Sequence, residues 1–481
     1  MSLLERTPDR ATSAPPPIGP VYWLQEALAR ETTPARPALT GAHRADVCIV
    51  GGGYVGLWAA IEIADRAPDA RVVLLDAGGC GFGASGRNGG WATSWHDELD
   101  VLLERFGPAQ AAFLAEQSTR AIDRIEQLCG AEDIDCHLRR RGALWAASSQ
   151  AQRGAWLAPM AAARTVGRTG FIAPVSAAEI RRRTGAEVLF DGAFHHDAAA
   201  LQPALLARGL RRAALRRGIQ LFEHSPMVRL DRTRTARVVT AAGHVDADRV
   251  VLGLGAWASR VRELRRAVVP VGSHIVLTEP VEDRLRELGW TGGELLGDAR
   301  LLVHYAQVTQ DGRIAFGRGG GAIGAFGRVN AKHHVDPKTV AIVAADLQRW
   351  FPSLAGVRLT HAWGGAVDRA PGHLPFAGTL GDHENIHYAT GFSGNGVAPS
   401  AFLGAILGRL ALGERDELTR CALVSGPPGL LPCEPLRSVG GVVVRGAVRR
   451  AEAAEERGRR ADPLSRALRG LVSFSLPRRR R

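Results

Sequence analysis

The chain has 481 residues, enough for two domains or one large domain with insertions, and 46% hydrophobic against 23% charged residues describes a globular protein with ample core. Its formal net charge of +13 is concentrated, because twelve arginines between residues 441 and 481 face only Glu452, Glu455, Glu456 and Asp462. No aromatic-interleaved basic motif accompanies them, so nucleic acid is not an expected partner, and the two lone lysines, Lys332 and Lys338, point to a general arginine bias.

Residues 1–44 read as a Pro- and Ala-rich lead-in with Pro15-Pro16-Pro17 and an apolar anchor at Val21-Tyr22-Trp23-Leu24. No apolar leader is visible there, and the longest apolar run, 397–412, is short and broken by Arg409, so no membrane span is expected and the cytoplasm is the default location. The six cysteines, Cys48, Cys80, Cys129, Cys136, Cys421 and Cys433, show no Cys-x-x-Cys or paired histidine spacing; metal and disulfide readings are poor.

Residues 46–76 carry the densest signal: a strand, the turn Gly51-Gly-Gly-Tyr-Val-Gly56, a helix, and a second strand ending at Asp76. That order binds a dinucleotide: Gly51 permits the turn, Gly53 lets backbone N–H groups reach the pyrophosphate, and Gly56 lets helix and strand pack closely. The helix N-terminus attracts the phosphates, and Asp76 is placed to accept from ribose hydroxyls.

Three- and four-residue apolar spacing predicts a helix over 101–130, with Leu102, Phe106, Phe113, Ile122, Ile125 and Leu128 on it. A strand is expected from Gly142, a helix over 201–217 closed by Gly218, and short strands at 220–223 and 237–240. Then come a buried strand from Arg249 into a second glycine turn, a strand over 268–278, and a hairpin over 304–316 around Gln310-Asp311-Gly312. A late strand ends at Gly391 before a helix over 398–410. Residues 454–476 read as a basic helix, either on anionic lipid or solvated and packed on the body, before the Arg478–Arg481 end. A nucleotide fold is thus interrupted by a strand-rich segment and completed near residue 390.

Four segments taken together resemble the amine-oxidising flavoproteins of the D-amino-acid oxidase and glycine oxidase superfamily, nearest to a gamma-glutamylputrescine oxidase-like branch. They are the 51–76 unit; Cys80-Gly-Phe-Gly-Ala-Ser-Gly-Arg-Asn-Gly-Gly90; Leu252-Gly-Leu-Gly-Ala-Trp257; and the set Trp363-Gly-Gly-x-Val-Asp-Arg369, Leu374-Pro-Phe-x-Gly378 and Gly391-Phe-Ser-Gly-Asn-Gly396. The resemblance runs from Tyr22 to Arg437. It implies an α/β fold in which a discontinuous Rossmann-type FAD domain (45–100, 195–265, 355–420) carries an inserted α+β substrate domain (101–194, 266–354) on a mainly antiparallel sheet, followed by a helical basic tail (421–481).

The same resemblance implies non-covalent FAD and no metal. Its cofactor contacts would be Gly51, Gly52, Gly53, Tyr54, Val55, Gly56, Asp76 and Ala77, then Gly83, Ala84, Ser85, Arg87, Asn88, Gly89 and Gly90, with Ser85 to Gly90 running past the ribityl chain and the ring. Val228, Gly255, Trp257 and Gly364 would join them, as would Gly391, Phe392, Ser393, Gly394, Asn395, Gly396 and Val397, with Gly391 to Gly396 directing donors at the ribityl or the flavin N1–C2 carbonyl. The implied reaction passes hydride from an amine-bearing carbon to flavin N5, giving an imine that water hydrolyses, with oxygen or another carrier as acceptor.

Tyr305 matches a pocket aromatic, while His274 and His304 are expected near N5 as the positive group that assists oxygen. Gln307 stands where relatives often carry Arg, which favours a polyamine-like or N-substituted amine over a free amino acid. The alternatives are a dehydrogenase of D-amino acids or sarcosine-type substrates passing electrons to a quinone, an NAD-dependent Rossmann enzyme, and a catalytically silent flavin binder.

Overall fold

A computed structural model describes residues 20–380, 383–473 and 476; Pro15-Pro16-Pro17 and the Arg478–Arg481 end lie outside the described residues. The strand expected at residue 46 begins earlier, and Gly41–Val50 becomes the centre of a sheet of eight strands. Its path runs Phe376–Leu380, Ile386–Thr390, Gly243–Leu252, Gly41–Val50, Val72–Leu75 and Gln220–Phe222, with Ala236–Val239 and Arg229–Asp231 forming a meander off Gly243–Leu252.

Register decides where the loops emerge. Val50 pairs in parallel with both Leu75 and Leu252, Leu252 pairs with Tyr388, and Leu75 pairs with Phe222. The turns after Val50, Leu75, Phe222, Leu252 and Thr390 therefore leave one carboxyl edge, where open α/β sheets bind ligands. Helix Tyr54–Arg66 is buried over its first ten residues between helices Pro203–Arg216 and Val397–Ala411. The 397–412 run is accordingly a core helix, and among the described residues no helix is long and apolar enough to cross a membrane.

A second sheet of eight strands follows the order Leu359–Arg369, Val269–Thr278, Ile314–Arg318, His304–Val308, Leu295–Asp298, Ala143–Ala146, Gly192–His195 and Ile172–Val175. One of its pairings, Leu295–Asp298 with Ala143–Ala146, is parallel; the rest are antiparallel. Helix Pro337–Trp350 covers one face through Val340, Val343, Leu347 and Trp350. The α/β architecture expected from the sequence is the one found.

Three placements differ from expectation. Leu359–Arg369 pairs along its length with Val269–Thr278 and so belongs to the second sheet, not the cofactor sheet. Helix Leu99–Ala131 packs on Val397–Ala411 and shares the core of the first sheet's helices, because its stripe Leu102, Leu114, Ala115, Ala121, Ile122 and Ile125 is buried there. Among the described residues the tail carries two α-helices, Leu436–Glu456 and Pro463–Arg469, where one is expected over 454–476. Gly458, at φ 68°, and Asp462, whose side chain caps the second helix from Ser465 N–H, break the run. The first of these helices buries Ala447, Val448, Ala451 and Glu452 against the body.

Candidate active site

The carboxyl edge of the first sheet is shaped by three backbones in contact. A Cβ on Gly56 would lie 1.9 Å from the Gly51 carbonyl oxygen, and one on Gly51, whose φ is 111°, would lie 2.3 Å from the Gly253 carbonyl oxygen. Only glycine lets helix Tyr54–Arg66 start this close to two strand ends. That helix has no side-chain cap at Gly53, although Ser85 Oγ accepts from Tyr54 N–H at 2.9 Å. Ser85 thereby ties the second glycine segment to the helix start.

Asp76 accepts from Gly52 N–H at 2.7 Å and from Gly78 N–H at 2.9 Å, and burial raises its pKa. It braces both turns. Below it, Glu223 accepts from Cys80 N–H at 2.9 Å and Arg36 N–H at 3.0 Å and pairs with Arg208 and Arg211. Burial alone would raise this carboxyl; the two N–H donors and Arg211 outweigh it and hold it at about 2. Sequence reasoning missed Glu223, whose one signal is an acid closing a strand that follows the Arg-rich helix Pro203–Arg216.

Residues 87–89 are pinned by three donors from three parts of the chain. The Arg87 carbonyl accepts from Trp363 Nε1 at 2.9 Å, the Asn88 carbonyl from Trp23 Nε1 at 3.1 Å, and the Gly89 carbonyl from Gln307 Nε2 at 2.7 Å. Asn88 Oδ1 takes Gly90 N–H at 2.7 Å. The Tyr305 ring covers Gly89, where an added Cβ would come within 2.6 Å of it, and its hydroxyl bonds Ser273 Oγ at 2.8 Å. Burial pushes the Tyr305 phenol up to about 12, so it stays protonated. Arg87 is half-buried, with Nε on the Phe82 carbonyl at 2.8 Å and Nη1 on the Gly364 carbonyl at 3.3 Å, and burial lowers its pKa.

Opposite, Asp368 takes Gly391 N–H at 2.7 Å and Thr390 Oγ1 at 3.0 Å, fixing the loop that leads through Gly394, at φ 107°, to helix Val397–Ala411. Ser393 Oγ accepts from Ala370 N–H at 3.1 Å, Phe392 is buried, and Asn395 reaches Thr93 at 3.5 Å. The N-terminus of that helix has no side-chain cap at Gly396.

The structure therefore brings together the glycines of 51–56, Asp76, Ser85 to Gly90, Tyr305, Gln307 and the 391–397 loop. Two expectations need correction. His304 points to the other face of its strand from Tyr305, bonded at 2.8 Å to Asp298 and at 2.8 Å to Asp346. Strand alternation alone separates it from residue 89. His274 is buried against Gly364 and pushed by burial to about 4, so it is neutral and supplies no positive charge. Gln307 also departs from expectation: besides Gly89, its amide nitrogen donates to the Leu201 carbonyl at 3.1 Å, making it a positioning residue. Gln307→Ala leaves the part-buried Gly89 carbonyl and the buried Leu201 carbonyl without that donor, a cost of about 1–3 kcal/mol; FAD content per chain after dialysis is expected to fall clearly below that of the parent.

An extended dinucleotide fits this edge. Two buried helices present to it N-termini whose N-cap residues, Gly53 and Gly396, supply no side-chain cap. Two large apolar side chains are exposed, Val228 at 65% and Trp257 at 43%, and the Trp257 ring would lie 3.9 Å from a Cβ placed on Gly83. Among the described residues no cluster of side chains could hold a metal ion.

Comparison with known proteins agrees with this geometry. Residues 46–410 match the DAO family model, described as FAD dependent oxidoreductase. A probable oxidoreductase OrdL of Rhizobium meliloti is 31% identical over 84% of this chain and 91% of its own. The gamma-glutamylputrescine oxidoreductase of Escherichia coli is 29% identical over 77% of this chain and 84% of its own. The crystal structure of glycine oxidase from Geobacillus kaustophilus superimposes with a TM-score of 0.65 at 21% identity, covering 80% of this chain and 99% of that one, which bears on the fold. The chain belongs to the DAO family of FAD-dependent oxidoreductases.

Proposed function

We propose that the chain oxidises the C–N bond of an amine or amino acid, with molecular oxygen as acceptor, and that an N-substituted or polyamine-like amine is preferred to a free amino acid. The preference rests on Gln307. Its neutral amide is spent on the Gly89 and Leu201 carbonyls beside Tyr305, so that wall offers no charge-assisted fork to a carboxylate. The putrescine-type relative points the same way.

When bound, FAD supplies the two-electron chemistry, accepting hydride from the carbon that bears the nitrogen. The protein's part is orientation. The pinned carbonyls of residues 87–89 hold one loop rigid, and Asp368 holds the Gly391 N–H in place on the other. The N-terminus of helix Val397–Ala411 adds a partial positive charge where electron density would build up. Tyr305, protonated and bonded to Ser273, offers a neutral wall that leaves an amine nitrogen free to shed its proton.

Turnover under air tests the acceptor and the substrate class together. Peroxide is expected in step with substrate loss, and kcat/KM for a monoacylated diamine is expected to exceed that for glycine by about tenfold or more, the worth of one missing charge-assisted contact. Dye reduction without peroxide would favour the dehydrogenase reading. Ser85 and Arg87 occupy the segment where covalent relatives carry a linking residue, so acid precipitation is expected to leave a colourless pellet and a yellow supernatant.

A further inference from the structure

We propose that Cys129 and Cys136 are a modification site, a buried thiol pair that a hydroperoxide converts to an intramolecular disulfide. The inference goes beyond the reaction proposed above and does not rest on it. The two sulfurs stand 3.6 Å apart, and both side chains are buried. Cys129 lies in the last turn of helix Leu99–Ala131, after which the chain doubles back. Ile134 N–H donates to the Cys129 carbonyl at 2.8 Å, and Asp133 and His137 adopt φ of 50° and 55°. Cys136 is anchored in turn, its carbonyl accepting from Gln202 N–H at 2.8 Å. A disulfide of about 2.0 Å would bring the two sulfurs closer than they stand as thiols.

The pair is also unequal. Cys129 is 8% exposed and Cys136 1%. The contact between the two sulfurs, in which either thiol can donate, lowers Cys129, while that contact and burial raise Cys136. Cys129, the less buried of the two, is the sulfur that a peroxide reaches first. Its thiolate attacks one peroxide oxygen, the O–O bond breaks, and the leaving oxygen departs as water, giving a sulfenic acid. The Cys136 sulfur then attacks the Cys129 sulfur and expels a second water. Two thiols lose two electrons and two protons, and hydrogen peroxide becomes two waters.

The site lies against the cofactor helix. Gln202, which holds Cys136, caps helix Pro203–Arg216 through Leu205 N–H, and the Pro203 carbonyl receives the Tyr54 hydroxyl at 2.7 Å. Tyr54 opens the helix that begins after Gly53.

The holoprotein, treated with a few equivalents of hydrogen peroxide, alkylated and digested with trypsin without reductant, tests the proposal. Residues 125–139 form one tryptic peptide containing both cysteines. It is expected to lose about 2 Da and both alkyl labels, and to recover them with dithiothreitol. C129S and C136S should each abolish the change. Because a buried serine can impair folding, reversal by reductant in the parent protein stands as the independent measure. The proposal is overturned if the peptide keeps both thiols while exposed Cys433 oxidises, if either cysteine gains about 32 Da as a sulfinic acid instead, or if the disulfide occurs only in cross-linked dimers.

Discussion

Gly56→Ala is expected to yield protein without flavin, or no folded protein at all. The new Cβ would sit 1.9 Å from the Gly51 carbonyl oxygen and 3.2 Å from the Ile49 side chain, and the obstructing oxygen is backbone. Relief requires moving helix Tyr54–Arg66 away from the sheet end. That movement opens the contact of Gly51 with Gly253 and withdraws the N–H groups that would meet the pyrophosphate. The cost is about 4 kcal/mol or more, in the range reserved for backbone clashes in a core. FAD absorbance per polypeptide and thermal melting measure it together. Gly446→Ala is the matched control: Gly446 lies within helix Leu436–Glu456 with no atom near its missing Cβ, and alanine there should stabilise by about 0.5–1 kcal/mol. A flavin-replete Gly56→Ala would remove the close helix–strand approach from the explanation.

His304→Leu is the second large effect, and it acts on the face of its strand opposite Tyr305. His304 bridges Asp298 and Asp346; Arg300 Nε bonds Asp298 at 2.9 Å and Arg318 bonds Asp346 at 2.7 Å. Glu452 and Glu456 of the tail helix close the group through Arg318 and Arg300. Removing one charge from such a buried group leaves its partners uncompensated, which costs about 3–5 kcal/mol. Burial would raise Asp298 and Asp346, but His304 and the arginines outweigh it and both are lowered. Burial would lower His304, but the two carboxylates outweigh it and it is raised.

The signs then set a window. The carboxylate share of stability is present above their unfolded value of about 3.9 and is lost as pH falls through the depressed folded values. The His304 share is complete below its unfolded value of about 6.5 and is lost as pH rises through the raised folded value. The difference in stability between parent and His304→Leu should therefore be largest from about pH 4 to 6.5 and shrink on either side. Denaturant unfolding across pH measures it, and a difference that keeps growing above pH 8 would contradict the assignment. Activity per bound flavin should change little, since the cluster lies behind the sheet.

How much of this was legible in the sequence depended on whether the signal was local. The 51–76 unit could be read because strand, turn, helix and acid follow one another, and the structure sets them in register. The glycine segments at 80–90 and 391–396 could be read as motifs, but what holds them could not. Trp23, Trp363 and Gln307 reach three successive carbonyls from positions 65, 276 and 218 residues away, and no spacing rule links them. Tyr305, expected in the pocket, and His304, expected near N5, are adjacent in sequence; a strand sends neighbours to opposite faces, and only the pairing partners reveal which face is which. Leu359–Arg369 carried a family motif yet joins the second sheet, because its ten-residue pairing with Val269–Thr278 outweighs proximity in sequence to the 391–396 loop. The Cys129 and Cys136 pair was hidden by a six-residue turn that matches no metal or redox spacing.

Anaerobic titration of the purified protein with a panel of amines and amino acids tests the central claim most directly. The account predicts a yellow protein with FAD bound at the carboxyl edge of the first sheet, whose colour bleaches with at least one C–N donor and returns when oxygen is admitted. A protein that emerges colourless and refuses added FAD, or a bound flavin that no member of the panel reduces, would contradict it.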